Sequence, residues 1–140
     1  MTNPNEVVIA EFRANSGVVT QSMGGVLADL ELALLHHSGR SSGNAYVAPV
    51  AYMPDQDGYL MVGSFAGAAK EPNWVANIED ASEVTVEIGT RKMSMIPTVL
   101  RNGPERDALY QAAREHWPFL LSYETQTTRS FPVVRLAPIS

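Results

Sequence analysis

The sequence predicts a fold that is mainly β with added helices (α+β), in which an antiparallel sheet closes into a barrel. Three observations predict it: short alternating apolar runs, turn-forming residues that separate these runs at hairpin spacing, and helical patterns that flank them. Closing a sheet leaves no long exposed edge, and helices can then cover the ends of the barrel. At this length we expect a single domain over residues 1–140.

The opening segment has the pattern of a helix start. Asn3 is a typical capping residue, Pro4 suits the first turn, and Glu6 lies where a carboxylate favours the positive end of a helix. Gly17 then ends the element. We therefore predict an N-terminal helix within residues 1–17.

Three strands are predicted in the first half of the chain. They cover 30–36, 45–52 and 59–64. The second of them alternates strictly between two faces, and its Pro49 indicates an edge strand or a bulge. Residues 55–58, Asp-Gln-Asp-Gly, form a hairpin turn that leads into the third strand.

The second half adds three strands and two helices. The strands are predicted at 83–88, 92–100 and 132–136. A short helix begins near Pro72, a longer one opens within residues 102–105 and runs through His116, and a partly helical stretch follows at 118–127. The inner stripe of the longer helix is predicted to hold Ala108, Leu109, Ala112 and Ala113.

Composition excludes several classes of protein. The chain has no cysteine, so thiolate zinc sites, iron–sulfur clusters and cysteine nucleophiles are excluded. Its net charge of −5 argues against a nucleic-acid binder. No secretory start and no window of 18 uncharged apolar residues is present, so we expect a cytoplasmic protein without a membrane span. Peripheral contact of the opening helix with a membrane stays open.

Standard catalytic and metal-binding motifs are missing. His36 and His37 are adjacent on a predicted strand, so they point to opposite faces and cannot readily share a metal ion. The glycine-rich dinucleotide and phosphate loops and the hydrolase nucleophile motif do not occur. If the protein is an enzyme, we expect a cofactor to carry the chemistry.

Arg40 stands in a turn rich in serine and glycine. Gly39 and Gly43 already supply the permissive backbone of this turn, so the turn needs no guanidinium for its geometry. Two interpretations follow from the turn alone: a solvated surface charge, or a group that binds an anion.

Six segments stand in a characteristic order along nearly the whole chain. They are EFRANSG (11–17), GRSSG (39–43), APVAY (48–52), KEPNWVANI (70–78), EVTVEIG (83–89) and YETQTTRSFPVVRL (123–136). In this order they resemble the deazaflavin-dependent nitroreductase family of actinobacteria, whose members use coenzyme F420. The resemblance implies a split β-barrel of the FMN-binding, pyridoxamine-phosphate-oxidase-like type.

The resemblance also implies the residues that bind the coenzyme. The coenzyme has an anionic tail, which Arg40 would contact with its guanidinium and Ser42 with its hydroxyl. Residues 47–50 would lie along the ring system, and Lys70 would be a second cation. The full implied set is Arg40, Ser42, Val47, Ala48, Pro49, Val50, Ser64, Phe65, Lys70, Trp74 and Asn77. No metal site is expected.

Two hydroxyl groups are expected beside the substrate, those of Tyr123 and Ser64. The activity implied by the resemblance is hydride transfer from reduced F420 to an activated C=C bond of an unsaturated ester, lactone or ketone, or to a nitro compound. The substrate would be small and hydrophobic, and the protein a monomer or a homodimer. Two alternatives stay open: a split barrel that binds FMN, and a non-catalytic protein that binds the coenzyme or another ligand.

The chain departs from the family pattern in two places that bear on anion binding. Members commonly have a lysine where this chain has Ser41, and many have a basic residue where it has Phe65. The C-terminal tyrosines of some members are also reduced to Tyr123, with Trp117 and Leu120 before it. Alkene reduction is therefore favoured over nitroreduction.

Overall fold

The computed structural model describes residues 4–25 and 27–139. The predicted cap Asn3 lies outside this range, as do the ends of the predicted 1–140 domain. The helices are α1 (Pro4–Ala14), α2 (Asn73–Glu79), α3 (Pro104–His116) and α4 (Leu120–Glu124). The strands are β1 (Leu32–Ser38), β2 (Ala45–Ala51), β3 (Met53–Asp55), β4 (Gly58–Val62), β5 (Val84–Ile88), β6 (Arg91–Leu100) and β7 (Val133–Pro138).

All the strands form one antiparallel sheet in the order β2-β1-β5-β6-β7-β4-β3. The predicted antiparallel sheet and its six strands are confirmed, with shifts of one or two residues at their ends. The sequence did not predict β3, because three residues that include Pro54 are too short to show an alternating pattern. Pro49 lies on β2, an edge strand, as predicted.

The sheet curls until its two ends approach each other, since β2 contacts β4 across the opening. The inner faces of the strands and one face of α2 form a common apolar core. This core consists of Ala33, Leu35, Ala48, Val50, Met61, Trp74, Val75, Ile78, Val84, Val86, Met95, Val134 and Leu136. The α2 side chains therefore close the inside of the half-barrel and fix where that helix lies.

Two further apolar clusters attach the other helices to the outside of the sheet. Val8 and Phe12 of α1 pack against Leu32 and Leu34 of β1. The residues of α3, α4 and the following segment that pack on β4 and β7 are Tyr110, Ala113, Trp117, Leu120 and Phe131. Both faces of the sheet are thus covered by helices.

The predicted inner stripe of α3 is partly wrong. Ala108 is exposed, whereas Tyr110 is buried. A stripe of alanines and leucine was predicted because they are wholly apolar, but the Tyr110 ring supplies more apolar area. Its hydroxyl donates to Glu124 at 2.8 Å, so the polar end of the side chain has a partner.

A carboxylate of α1 organises the loop that follows the helix. Glu11 accepts hydrogen bonds from the backbone N–H groups of Thr20, Gln21 and Ser22 at 2.8 to 2.9 Å, and from the Ser22 hydroxyl at 2.7 Å. The Ser22 hydroxyl and these backbone donors lower the Glu11 pKa to about 2. The loop therefore depends on an ionised carboxylate.

Within the described residues, no helix has both the length and the apolar character that a membrane crossing requires.

We predict that Glu11→Gln lowers the melting temperature at neutral pH. The folded-state pKa lies below the unfolded one, so the ionised carboxylate stabilises the fold above the unfolded pKa, and this is lost as pH falls through the folded pKa of about 2. The difference in melting temperature between wild type and variant should accordingly shrink on acidification.

The matched control is Glu115→Gln, a change at an exposed position of α3. If the two variants melt alike at neutral pH, the carboxylate does not hold the loop.

Candidate functional site

Two cavities adjoin at the open side of the half-barrel. The larger, here called the groove, has a volume of about 770 Å³ and lies between β2, the 39–45 turn, α2 and the start of α1. The smaller, here called the pocket, has a volume of about 190 Å³ and lies between β2, the end of β4 and α4. Phe65, Pro72 and Trp74 line both cavities and form the wall between them.

Most of the residues predicted for the site line these two cavities. Those of the groove are Arg40, Ser42, Val47, Ala48, Phe65, Trp74 and Asn77. Those of the pocket are Pro49, Val50, Ser64, Phe65, Trp74 and Tyr123. Lys70 is exposed and lines neither of them. The fold thus brings together all the predicted site residues except Lys70.

Strand β2 runs along both cavities. It is an edge strand, and within the sheet it pairs only with β1. An edge strand presents backbone N–H and C=O groups that a ligand can use. The predicted stretch 47–50 therefore offers backbone groups as well as side chains.

Arg40 makes two contacts with α2 and the residue that follows it. Its backbone N–H donates to Asn77 Oδ1 at 3.3 Å, and its Nη2 lies 2.9 Å from Asp80 Oδ2. The Arg40 and Asp80 side chains are 53% and 79% exposed. An exposed ion pair of this kind contributes at most about 1 kcal/mol, so an anionic ligand can displace Asp80.

His36 and His37 point to opposite faces of β1, as predicted. His36 Nε2 lies 2.6 Å from Glu87 Oε2, which also accepts from Arg13 of α1 at 2.8 Å. His37 faces the groove and lies 2.9 Å from Asn77 Nδ2 through its Nδ1. Within the described residues no three His, Asp or Glu side chains are placed to hold a metal ion.

His37 is a groove residue that the sequence prediction missed. Its ring stacks on Tyr46 with centroids 5.4 Å apart, and burial together with the charge of His36 lowers its pKa. The two-residue alternation of the strand turns the two histidines to opposite faces and so places His37 in the groove. This alternation is the signal in the sequence that could have identified His37 as a groove residue.

The wall between the cavities contains a left-handed turn. Phe65, Ala66 and Gly67 have φ values of 46°, 53° and 80°. Each non-glycine residue in this region costs about 1–2 kcal/mol. Gly67 is required for space as well, because a Cβ there would lie 2.7 Å from the Tyr123 carbonyl oxygen.

Arg129 holds this turn in place. Its Nε donates to the carbonyl of Ala68 at 2.8 Å, its Nη1 to that of Gly63 at 3.0 Å, and its Nη2 to that of Ser64 at 2.7 Å. The guanidinium also lies over the Phe131 ring, 4.8 Å from the centroid. Desolvation lowers the Arg129 pKa. No sequence pattern around Arg129 separates it from a solvated loop charge.

Tyr123 and Ser64 are brought to the same cavity from different elements. Ser64 lies two residues beyond the end of β4, and Tyr123 lies on α4 with its ring 5.2 Å from that of Phe119. The bond from Tyr110 to Glu124 anchors α4 at its last residue. The pocket therefore offers two hydroxyl donors among mainly apolar walls.

Comparison with known proteins gives one family and several relatives. A family model described as F420H(2)-dependent quinone reductase matches residues 8–138. The chain is 30% identical over 105 residues to a Mycobacterium tuberculosis protein named "Putative F420H(2)-dependent quinone reductase Rv3178", which covers 75% of this chain and 87% of that protein. The resemblance seen in the sequence is confirmed.

Solved structures agree with the fold. A structure named F420-H2 dependent reductase (FDR-A) has a TM-score of 0.64 and 28% identity, covering 75% of this chain and 92% of that one. A chain described as a domain-swapped dimer has a TM-score of 0.67 and 26% identity, covering 96% and 99%. A Listeria innocua structure described as "Putative Pyridoxamine 5'-phosphate oxidase", with a TM-score of 0.52 and 10% identity over 99% of this chain and 95% of that one, shares the fold alone. The predicted split barrel is confirmed.

We predict that Arg129→Lys destabilises the protein by at least about 2 kcal/mol, because a lysine cannot reach three carbonyls with one ammonium group and bonds to a charged donor are worth about 1.5–3 kcal/mol each. Denaturant unfolding measures the loss. Amide hydrogen exchange at Gly67 and Ala68 should accelerate more than elsewhere.

Arg91→Lys is the control, an exposed arginine at the start of β6. If amide exchange at Gly67 and Ala68 is unchanged in Arg129→Lys, the turn keeps its shape without the guanidinium.

Proposed function

The chain belongs to the F420H(2)-dependent quinone reductase family, and we propose that it is an oxidoreductase that uses reduced coenzyme F420 to reduce an electron-poor organic acceptor. One observation carries the proposal: a larger groove that holds Arg40 and a smaller, mainly apolar pocket adjoin across a single wall of Phe65, Pro72 and Trp74. A long cofactor in the groove and a small acceptor in the pocket could then meet at this wall.

The residues of the groove fit the coenzyme. Arg40, Ser42 and Asn77 supply a guanidinium, a hydroxyl and an amide at one end, which suits an anionic tail. The β2 edge and the Trp74 indole border the other end, which suits a flat ring. The volume of about 770 Å³ is within the usual range for ligand sites. Lys70, outside both cavities, would act only as a distant, screened charge.

When bound, reduced F420 supplies a hydride. The protein's own residues would hold the two flat molecules in contact and exclude water from the pocket through Leu120, Phe119 and Trp117. Tyr123 and Ser64 would donate hydrogen bonds to the acceptor oxygen as negative charge develops on it. Neither role needs a strongly acidic or basic side chain in the pocket.

The acceptor class is proposed from the pocket and the relatives together. A volume of about 190 Å³ with apolar walls suits a small, flat, hydrophobic compound. Relatives are named quinone reductases, so a quinone is our first candidate. Activated C=C bonds of unsaturated esters, lactones or ketones come next, and nitro compounds last.

Two alternatives lead to different results. A split barrel that binds FMN needs a compact phosphate site, whereas the groove is long and has Arg40 as its one arginine or lysine among the described residues. A non-catalytic protein would bind coenzyme without turnover.

We also propose that the chain forms one domain and acts in the cytoplasm. It would be a monomer or a homodimer, and light scattering can distinguish these two states.

The deciding experiment measures binding and turnover separately. The protein is titrated with F420 and with FMN, and then mixed with reduced F420 and a quinone, an unsaturated lactone or a nitroaromatic compound. We expect F420 to bind more tightly than FMN, and the quinone to reoxidise reduced F420 faster than the other two acceptors do. Binding of FMN alone, or F420 binding with no acceptor consumed, would favour one of the alternatives.

We predict that Arg40→Ala weakens F420 binding by about 1.5–3 kcal/mol, the range for a hydrogen bond to a charged group, and leaves the melting temperature nearly unchanged. An equilibrium titration measures this.

Lys70→Ala should weaken F420 binding by less than Arg40→Ala does, and its effect should diminish as salt is added.

Arg91→Ala is the charge-matched control for Arg40, on a strand end outside both cavities. Equal dissociation constants for wild type and Arg40→Ala would remove Arg40 from the site.

We predict that Tyr123→Phe lowers kcat by about 10²- to 10³-fold, the cost of losing one donor to a developing oxyanion, while F420 affinity stays unchanged. Steady-state kinetics with the preferred acceptor measures it. Tyr59→Phe is the control, a tyrosine of β4 outside both cavities. A Phe variant that works at the wild-type rate would make Tyr123 only a wall of the pocket.

A further inference from the structure

The hydrogen bonds around Asn77 determine which nitrogen of His37 carries the proton. The backbone N–H of Arg40 can only donate, so the Asn77 atom 3.3 Å from it is the acceptor Oδ1. The amide NH₂ of Asn77 therefore points to His37 Nδ1 at 2.9 Å and donates to it. A neutral imidazole that accepts at Nδ1 carries its proton on Nε2.

The Nε2–H of His37 is open to the groove. No hydrogen bond involves this nitrogen within the described part of the chain, where every fully buried side-chain nitrogen or oxygen has a partner. Nε2 is therefore accessible, and His37 is among the residues that line the groove. Stacking on Tyr46 and the bond from Asn77 fix the ring, so the donor has a set direction.

The groove has little permanent positive charge to offer an anion. Arg40 is paired with Asp80, Glu6 of α1 lines the groove, and the positions of Ser41 and Phe65 carry no charge. Tyr46 packs on the His37 ring from β2. On the opposite face of β1, the His36 imidazole is engaged by Glu87.

We propose that His37 is an anion-binding residue of the groove, whose Nε2–H contacts a phosphate or carboxylate oxygen of the coenzyme tail and whose protonation strengthens that contact. This rests on the proposed function, and it adds to Arg40 a second group that becomes cationic when it is protonated. In the free protein, burial and His36 lower the His37 pKa. A bound anion raises it, so affinity rises as pH falls through the pKa of the complex and levels off below that of the free protein.

Two substitutions separate the donor from the charge. His37→Gln keeps an N–H donor near the place of Nε2 but cannot titrate. His37→Phe keeps a flat ring against Tyr46 and loses both donor and charge. His116→Gln on α3 is the control, since His116 lies outside both cavities. Melting temperatures verify that all the variants fold.

The experiment measures F420 dissociation constants by calorimetry between about pH 8 and about pH 5, the range in which histidine titrates. Wild type and His116→Gln should bind F420 at least about tenfold more tightly at about pH 5 than at about pH 8. This is the gain expected when the donor in a hydrogen bond becomes charged. His37→Gln should resemble wild type at high pH and show no such gain. His37→Phe should bind about tenfold more weakly than wild type at low pH. Ionisation of the coenzyme itself affects all four proteins equally.

Imidazole NMR gives a second readout that needs no turnover. The chain has three histidines, and the spectrum of His37→Gln identifies the His37 signals. We expect the Nε2–H tautomer in the free protein and a pKa that rises on addition of F420. A deazaflavin riboside without phosphate should leave that pKa unchanged. If a shortened coenzyme that keeps the phosphate but lacks the tail carboxylates still raises the His37 pKa, the contact is to the phosphate, and otherwise to a carboxylate.

The outcomes distinguish the two proposals. If wild type binds no F420, the proposed function fails and this inference fails with it. If wild type binds F420 but His37→Phe binds equally at every pH, or the free imidazole carries its proton on Nδ1, only the role of His37 is overturned.

Discussion

The candidate site depends on one guanidinium, that of Arg129, and the strained turn that it holds. Two non-glycine residues of the turn have left-handed backbone angles, at a combined cost of about 2–4 kcal/mol. Three bonds from Arg129 to carbonyls 63, 64 and 68, each worth about 1.5–3 kcal/mol, exceed that cost. The turn so held places Ser64 at the pocket and Phe65 between the two cavities. Its Gly67 packs against the α4 backbone at Tyr123.

The two-residue period of the strands distributes the remaining site groups. On β1 it turns His36 toward Glu87 and α1, and His37 toward α2 and the groove. Each histidine therefore ties the sheet to a different helix, with Arg13 joining the first contact and Asn77 the second. The same geometry that excludes a shared metal ion thus supplies one side chain to the scaffold and one to the ligand site.

The sequence predicts well those features that are local or repeated. Six strands, the helices and the edge position of Pro49 follow from period and turn chemistry. The residues that the family resemblance implies for the site line the groove and the pocket, apart from Lys70. The rest depends on tertiary partners. The short β3 shows only in its pairing with β4, Tyr110 is buried because Glu124 satisfies its hydroxyl, and the role of Arg129 depends on carbonyls more than 60 positions away in the chain. Such contacts leave no pattern in one sequence.

The electrostatics of the groove indicate how an acidic protein could accept an anion. The net charge of −5 offers no long-range attraction, and in the free protein Asp80 occupies the Arg40 guanidinium. Because both side chains of that pair are exposed, separating them costs at most about 1 kcal/mol. A phosphate, which can accept two parallel bonds from the guanidinium, gains more than this and returns Asp80 to water. The pair therefore holds Arg40 at the groove while it is free, and competes only weakly with a ligand.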